Sequence, residues 1–420
     1  MLLIMVIDIL KHTIVNVCKS ITYGMKKPDV KFFRTCLESV LENQTTVLSN
    51  LGKSETPNSK QVLKYFSRNL WKDSFENLPE KAFKVLRKLI GVLDPESCFC
   101  LDSVDLNKYS ALKMEGLSKV RDGSTWDIVN GYVLNAVSVN GIPLLLEREE
   151  LEKSDEEKTT RFDIFSKQIE KIGSTFWNGY WILADRLYDD VKKFNLLIEH
   201  EFRFAIRMKT SRFVTIIEGK TEYEENVEYA GKTLKIGDIP EWEYLVTFKD
   251  LKTSCRLVVK MLPGYKTPIR VLSNTHDPEI VKRYLKRWEI ERIFKSGKQE
   301  FHLEKIGTKS KQKIDNLIAI VQLCLGISAY IHKEVEKETP GTEASENSAI
   351  EQNKRKATIS IVAFQKNCMK YLKRVSLTFN RNSIIGFIAE YMKNIRKMKW
   401  NLKVTVRPEN SAQLRLNLGY

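Results

Sequence analysis

Three carboxylates occupy positions from which a folded chain could bring them together: Asp102, Asp185 and Glu291. Asp102 ends the apolar run SCFCLD and Asp185 ends the apolar run of GYWILADR, so each is expected at the carboxyl end of a buried strand. Glu291 falls in a later amphipathic helix. Carboxylate oxygens are the ligands that Mg²⁺ prefers, and two ions about 3.5–4 Å apart activate an attacking hydroxyl and stabilise a leaving oxygen. The three acids therefore predict a two-metal site for phosphodiester chemistry.

Two neighbouring acids are alternatives to these assignments. Asp105 competes with Asp102 in the run LDSVD, but only Asp102 directly ends the apolar segment. Glu289 competes with Glu291, but on a helix it points about 160° away from the other polar groups near Glu291. A single Asp at a strand end is more often a turn residue or a helix cap than a ligand. The combination of two strand ends and a helix favours the site.

The helix that carries Glu291 has three further polar residues at helical spacing, in the stretch YLKRWEIERIFKSGK. Arg287, Glu291 and Lys298 follow Tyr284 at offsets that place all four side chains within about a quarter-turn, at about 100° per residue. A solvated helix face would show the same spacing. The stripe becomes informative only together with Asp102 and Asp185.

The charge of the chain favours a polyanionic partner. The formal net charge is +16 with a pI near 9.3, and clustered Lys and Arg gain affinity for nucleic acid by releasing its counterions. Residues 351–420 hold fifteen Lys or Arg against three acids, so most of the excess lies in this last region. The seven cysteines are expected to be reduced and buried, and the five isolated histidines have no zinc-binding spacing. The chain has no unbroken run of 18 apolar residues, and no membrane span is expected.

The elements that must position the acids can be placed along the chain. Residues 1–92 have amphipathic helical patterns and are expected to bind DNA, with a purely packing role as the alternative. A strand, a hairpin turning at Asn140-Gly141, a helix (162–173) and a second strand then precede a strand-rich block at 202–273. An apolar helix follows the polar stripe and completes a catalytic domain at 93–335. Residues 336–353 have the composition of a linker, and 354–420 form a basic helical region for DNA binding or dimerisation.

The polar stripe carries a resemblance to a known family. YLKRWEIERIFKSGK fits the Y-x2-R-x3-E-x6-K signature of bacterial insertion-sequence transposases, in the insertion-sequence-four branch of the DDE superfamily. LDSVDLNKY and WILADRLYDD resemble the segments that bear the first and second catalytic Asp of that family. The resemblance covers roughly residues 95–335. It implies an α/β fold: a ribonuclease-H-like mixed sheet with an inserted β subdomain, flanked here by helical N- and C-terminal regions.

The resemblance also implies roles for individual residues. Asp102, Asp185 and Glu291 would be the catalytic acids and would bind two Mg²⁺ ions, for which Mn²⁺ would substitute. The remaining groups would bind DNA phosphates; they are Tyr284, Arg287 and Lys298, with Arg207 and Arg212 from FAIRMKTSR. Trp242 is a candidate for stacking on a flipped base. Family members often have Gly where Leu187 follows the Asp185-Arg186 pair.

The function implied is cut-and-paste DNA transposition by a homodimer that holds the terminal inverted repeats and a target duplex, in the cytoplasm at the nucleoid. Strand nicking would free a 3′ hydroxyl, a hairpin would form, and strand transfer would follow. Two alternatives remain open. The chain could be a catalytically silent relative that still binds DNA, or a ribonuclease-H-like nuclease that needs the three acids but not the polar stripe.

Overall fold

The computed structural model of this chain describes residues 2–51, 59–109, 111, 113–150, 159–176, 179–220 and 230–338. The helices in these ranges are α1 (Leu2–Ile21), α2 (Lys27–Asn43), α3 (Ser59–Asn69), α4 (Leu78–Ile90), α5 (Arg161–Thr175), α6 (Val191–Glu199), α7 (Ile280–Leu285), α8 (Trp288–Gln299) and α9 (Lys311–Glu338). The strands are β1 (Cys98–Asn107), β2 (Ser118–Arg121), β3 (Ile128–Val139), β4 (Ile142–Arg148), β5 (Trp181–Ala184), β6 (Arg203–Arg207), β7 (Phe213–Lys220), β8 (Thr233–Lys235), β9 (Trp242–Thr247), β10 (Cys255–Lys260) and β11 (Ile269–Ser273). The expected basic region at 354–420, and all but the first residues of the expected linker, lie outside the described residues.

The centre of the fold is a mixed sheet with the strand order β4-β3-β1-β5-β6. β4 and β3, and β3 and β1, run antiparallel, whereas β5 and β6 follow as parallel strands. Helix α5 connects the hairpin to β5, and α6 connects β5 to β6. Three antiparallel strands followed by two parallel strands with helical connections form the ribonuclease-H-like arrangement. The expected fold class is confirmed.

The inserted strands extend this sheet. β11 pairs antiparallel with β6, and β10, β9, β7 and β8 follow in that order, so one sheet of 11 strands runs through the described chain. The segment FRFAIRM, which the sequence places at the start of the insertion, is β6, the fifth strand of the core. The insertion therefore begins after Arg207, because β6 is parallel to β5 and completes the core first.

The β3–β4 hairpin follows the local signal. Asn140 and Gly141 connect the strands with positive φ angles of 52° and 75°. A type I′ turn requires this conformation at both central positions, which Asn and Gly adopt more easily than other residues. The prediction of a hairpin at this dipeptide is confirmed.

The two connecting helices begin at side-chain caps. At the start of α5 the Thr160 hydroxyl oxygen accepts from the Asp163 backbone nitrogen, and the Asp163 carboxylate accepts from the Thr160 backbone nitrogen. Asp190 caps α6 by accepting from the backbone nitrogen of Lys192. These caps set where each helix leaves the sheet.

Helix α9 lies at the centre of the α-helical side. It packs against β4 and against α1, α2 and α4, so the N-terminal helices bury the back of the sheet. By length and composition the segment Lys311–Glu334 could cross a membrane, but 83% of its most apolar 18-residue window is buried inside the protein, as in a core helix. Two of its buried side-chain amides donate to neighbouring elements: Asn316 to the Leu70 carbonyl and Gln322 to those of Pro143 and Leu144.

The cysteines in the described residues are free and buried, as expected; they are Cys18, Cys36, Cys98, Cys100, Cys255 and Cys324. Burial raises the pKa of Cys18 to about 12 and that of Cys255 likewise to about 12. Such thiols are inert packing groups.

Candidate active site

Strand register brings Asp102 beside Asp185. Leu101 pairs with Ala184 across the parallel strands β1 and β5, so the residues that follow them are lateral neighbours. The parallel strands β5 and β6 pair Ala184 with Ile206, so Arg207 is the next residue in the same row. Two acids and one cation from three parallel strands therefore line one edge of the core.

Asp102 does not end its strand, and this part of the sequence prediction is wrong. β1 continues to Asn107, since β3 is long enough to pair with it through that residue. Only the parallel pairing with β5 stops before Asp102. Three residues further on, Asp105 points to the opposite face of the sheet and accepts from the Arg121 backbone nitrogen at 3.2 Å. The side chain of Asp102, and not that of Asp105, therefore points to the site.

Asp185 ends β5, as predicted. Its Oδ1 accepts from the Leu187 backbone nitrogen at 2.8 Å and so caps a short 3₁₀ turn, Arg186–Tyr188. Leu187 lies within that turn and is not among the residues with positive φ. Leucine is therefore accommodated without backbone strain where relatives often have glycine.

Arg287 links Glu291 to Asp102. The α7–α8 junction at Lys286 and Arg287 keeps helical φ and ψ, but its backbone hydrogen bonds tighten to the i+3 pattern. Arg287 donates to Asp102 Oδ2 at 3.0 Å and to Glu291 Oε1 at 2.6 Å. Its side chain is 7% exposed, whereas that of Glu291 is 55% exposed. One guanidinium thus joins a buried acid to an acid at the mouth of the site.

The four residues of the polar stripe have different environments. Tyr284 is 1% exposed, and its hydroxyl accepts from Arg287 Nε at 3.2 Å. Lys298 lies further along α8 and pairs with Glu304 at 3.1 Å. Tyr284, Arg287 and Glu291 form one connected group with Asp102, and Lys298 does not join it. Glu289, the alternative to Glu291, lines a separate cavity with Cys98 and Cys100.

Burial and like charge dominate the electrostatics of the site. The pKa of Asp102 is raised from 3.8 to about 7. Burial of its carboxyl group is the largest cause and the charge of nearby Asp185 is the next, although Arg287 opposes the change. Burial raises the pKa of Tyr188 well above its usual value, and the charges of Asp102 and Asp185 add to this. Burial lowers the pKa of Arg287, but Tyr284, Asp102 and Glu291 outweigh this and raise it, so the guanidinium stays charged.

The donor set suits a divalent cation. Asp102 and Asp185 disfavour each other's charge, and a hard cation between carboxylate oxygens removes that repulsion. Within the described residues no group of three potential ligands is close enough to form a metal site. The contacts give the reason, since the guanidinium of Arg287 lies between Asp102 and Glu291 and holds an oxygen of each. The acids fit a metal chemically, and Arg287 supplies the positive charge in this arrangement.

The remaining residues expected to bind DNA differ in whether their side chains already have an internal partner. Arg207 is partly exposed, and its side chain makes no hydrogen bond or ion pair with the described residues. Arg212 pairs with the buried carboxylate of Asp189 and lies over the ring of Phe248, 5.3 Å from its centroid. Trp242 lies in β9 among the inserted strands. Arg207 is therefore available to a ligand, whereas Arg212 has an internal partner.

Tyr188 is the site residue that sequence reasoning did not identify. It is buried beside both aspartates, three residues after Asp185. The run ADRLYDD held the signal, since the capped turn that begins at Asp185 returns the third following residue toward the sheet. Its ring also packs at a tilt of 58° against Phe165 of α5, with centroids 5.8 Å apart, which fixes the turn on the core.

The comparison with protein families gives one match. Residues 144–327 match the family model of the transposase DDE domain. The matched range covers a little under half of the chain and supports a DDE transposase, a class of metal-dependent enzymes. The DDE domain match includes Asp185 and Glu291 and begins after Asp102.

Two further comparisons add no functional evidence. No curated protein matches the chain. Among solved structures, the chain is similar to a piggyBac transposase in a synaptic complex with hairpin DNA, with a TM-score of 0.44 and 10% identity. The similarity covers 91% of this chain and 82% of the other. A likeness at this level does not indicate substrate or mechanism.

Proposed function

We propose that this chain is a DNA transposase of the insertion-sequence-four branch, which excises its element and inserts it elsewhere by phosphodiester cleavage and strand transfer. The observation that carries the proposal is that Asp102 and Asp185 are neighbours on parallel strands of a ribonuclease-H-like sheet, while Arg287 joins Asp102 to Glu291. The DDE domain match over Asp185 and Glu291 supports it independently.

Asp102, Asp185 and Glu291 would hold two Mg²⁺ ions, which Mn²⁺ would replace. When bound, the ions would lower the pKa of the attacking water or 3′ hydroxyl and stabilise the leaving oxygen. The two aspartates are held by the sheet and by a backbone hydrogen bond, so their positions are set before the ligand arrives. The more exposed Glu291 would complete the ligand set from α8.

Arg287 would change partners during the reaction. In the free protein its guanidinium neutralises Asp102 and Glu291. A phosphate of the DNA end offers the same guanidinium a bidentate anion, and cations bound by the acids would repel it. Arg287 would therefore leave the carboxylates as DNA and metal bind, with Tyr284 directing its side chain. Arg207 and Lys298 would contact neighbouring phosphates.

The proposed partners are the terminal inverted repeats of the element and a target duplex. A homodimer would bring both element ends together in the cytoplasm at the nucleoid. Hairpin formation at the element end is part of the proposal through the family resemblance. A neutral hydroxyl at Tyr284 and cations at Arg207 and Arg287 are suited to a polyanion, whichever end sequence is bound.

The test measures cleavage of a duplex that carries the element's own terminal repeat, with a label on the strand whose 3′ end is freed, in the presence of Mg²⁺ or Mn²⁺. Asp185→Asn and Glu291→Gln are expected to reduce cleavage by at least about a thousandfold, because each removes a ligand charge. The matched controls are Asp105→Asn and Glu289→Gln, which change the same residue types a few positions away and should cut like the parent.

Three other results would redirect the assignment. Equal cleavage by the parent and by Asp185→Asn or Glu291→Gln would exclude these acids as ligands. Cleavage without joining of the 3′ end to a target duplex would identify a nuclease. Specific binding of the terminal repeat without cleavage at any end would identify a catalytically silent DNA-binding protein.

A further inference from the structure

A basic groove lies apart from the three acids, where the N-terminal helical region meets the start of α9. It is defined here by Lys305, Lys309 and Lys313 on one wall and by Ser49 and Ser67 on the other. Its volume is about 530 Å³. Hydroxyl and ammonium groups that face one another across an open groove are donors suited to phosphate oxygens.

Two of the three lysines in the basic groove have no hydrogen-bond or ion-pair partner for their side chains among the described residues. The ammonium groups of Lys305 and Lys309 form no hydrogen bond or ion pair with the described residues. Lys313 donates to Ser67 Oγ at 3.3 Å and lies 5.4 Å from the ring centroid of Trp71. The acid in the groove, Glu115, already accepts the backbone nitrogen of Lys311 at 2.7 Å. The groove therefore presents cations to solvent beside a half-exposed indole.

The wall that carries these lysines is fixed to the catalytic sheet. Lys108, which follows β1 directly, is buried and donates to the carbonyls of Leu303, Glu304 and Ile306. Burial lowers the pKa of Lys108 to about 8. Three carbonyl acceptors hold the segment before Lys309 at the end of β1, so the groove cannot shift freely relative to the site.

The length of β1 gives the separation between Asp102 and Lys108, the residue that holds the wall of the groove. Lys108 lies six positions after Asp102, and at about 3.3 Å per residue the strand spans about 20 Å. Duplex DNA rises about 3.4 Å per base pair, so the same distance corresponds to about six base pairs. Lys298 of the polar stripe forms an ion pair with Glu304, the residue before Lys305 of the groove.

We infer that the basic groove binds the phosphodiester backbone of the duplex whose end occupies the site, about six base pairs inside the cleaved bond. The inference rests on the proposed function, since the duplex end must lie at the three acids. Lys305 and Lys309 contact phosphates, Ser49 and Ser67 donate hydrogen bonds, and Trp71 packs against the sugar-phosphate surface. Both the N-terminal helical region and the catalytic core contribute to this contact.

The test measures binding by the full chain without metal, so that it is separate from catalysis. The variant is Lys305→Gln/Lys309→Gln, and the matched control is Lys260→Gln/Lys266→Gln, which removes two exposed lysines among the inserted strands. With a labelled duplex of about 30 base pairs, the groove variant should bind roughly tenfold more weakly at 0.1 M salt, and its log–log salt slope should fall by about two. The control variant should show less than half of the loss of affinity and less than half of the fall in salt slope.

A second measurement locates the contact on the DNA. Ethylation of phosphates about six base pairs from the end should weaken binding of the parent, and this interference should disappear in the groove variant. An unchanged affinity and salt slope in the variant, or interference confined to the terminal two or three phosphates, would overturn the inference. The inference would also be overturned if the groove variant kept its affinity for duplex DNA but lost affinity for single-stranded DNA or anionic lipid vesicles.

The two proposals fail in different ways. If the groove assignment is wrong, the groove variant binds duplex normally, while Asp185→Asn still abolishes cleavage. If the proposed function is wrong, no end is cleaved, and any interference pattern loses its fixed distance from the terminus.

Discussion

At the residue scale, the site is controlled by Arg287. Asp102 alone would be a buried acid beside a second acid, and Glu291 alone would be a surface carboxylate. The guanidinium pairs with both acids and provides the positive charge that a divalent cation would otherwise supply. A metal held by Asp102 and Glu291, as proposed, would therefore compete with this ion pair for the same oxygens.

This competition predicts the effect of Arg287→Gln. Without DNA, the variant is expected to bind Mn²⁺ at least about tenfold more tightly than the parent, or about 1.4 kcal/mol, because no guanidinium must be displaced. Titration followed by electron paramagnetic resonance of free Mn²⁺ measures this, at pH 8 to keep Asp102 ionised. Lys286→Gln is the control for loss of a neighbouring cation. Weaker or equal metal binding by Arg287→Gln would contradict the competition.

The raised pKa of Asp102 predicts a pH dependence of stability. The unfolded chain releases this proton near pH 4 and the folded chain near pH 7, so the folded state binds more protons between these values. The free energy of unfolding therefore falls as pH rises through this window and then levels off. The change from 3.8 to about 7 corresponds to at most roughly 4 kcal/mol.

Asp102→Asn isolates this contribution. Relative to the metal-free parent, the variant should gain stability progressively from pH 4 to 7 and show a constant difference above pH 7. Urea unfolding in the presence of a chelator, repeated across this range, measures it. A stability difference that does not vary with pH would show that Asp102 ionises normally.

At the element scale, the packing of α4 on α9 supports the sheet that carries the site. Gly326 of α9 allows this approach: a Cβ at Gly326 would lie 2.2 Å from Leu86 Cδ2 of α4. Leu86 is fully buried and α9 packs directly on β4. A larger side chain at Gly326 must therefore displace α4.

Gly326→Leu is expected to destabilise the fold by about 1–3 kcal/mol despite the better helix propensity of leucine. Urea unfolding gives the value. The double variant Gly326→Leu/Leu86→Ala tests the cause, because loss of the Leu86 side chain opens room for the new one. Its cost should be smaller than the sum of the two single variants. Additivity within about 0.5 kcal/mol would place the strain elsewhere.

Element prediction from the sequence succeeded where the signal was local. Asn140-Gly141 predicted its turn, and the apolar periodicity of residues 162–173 predicted α5. It failed where pairing partners set the limits. β1 passes Asp102 because β3 pairs with it as far as Asn107, and FRFAIRM joins the core because β5 lies beside it.

At the scale of the whole molecule, the N-terminal helices and the catalytic sheet share one core. α1, α2 and α4 pack on α9, which packs on β4, so the helical region contributes to the support of the site whether or not it also binds DNA. The net charge of +16 indicates a polyanionic partner for the chain as a whole. Most of that excess lies in residues 351–420, and the basic groove adds a smaller positive surface where the helical region and the catalytic core meet.

The sequence by itself determined the residue types available for catalysis, the order of strands and helices, and the family resemblance, since each depends on local pattern and spacing. The tertiary structure decided which groups meet. Asp102 and Arg287 are separated by 185 positions, and Lys108 and Leu303 by 195, so their contacts depend on strand register and helix packing. Alternation and helical period describe a face, but only the folded sheet brings that face to its partner.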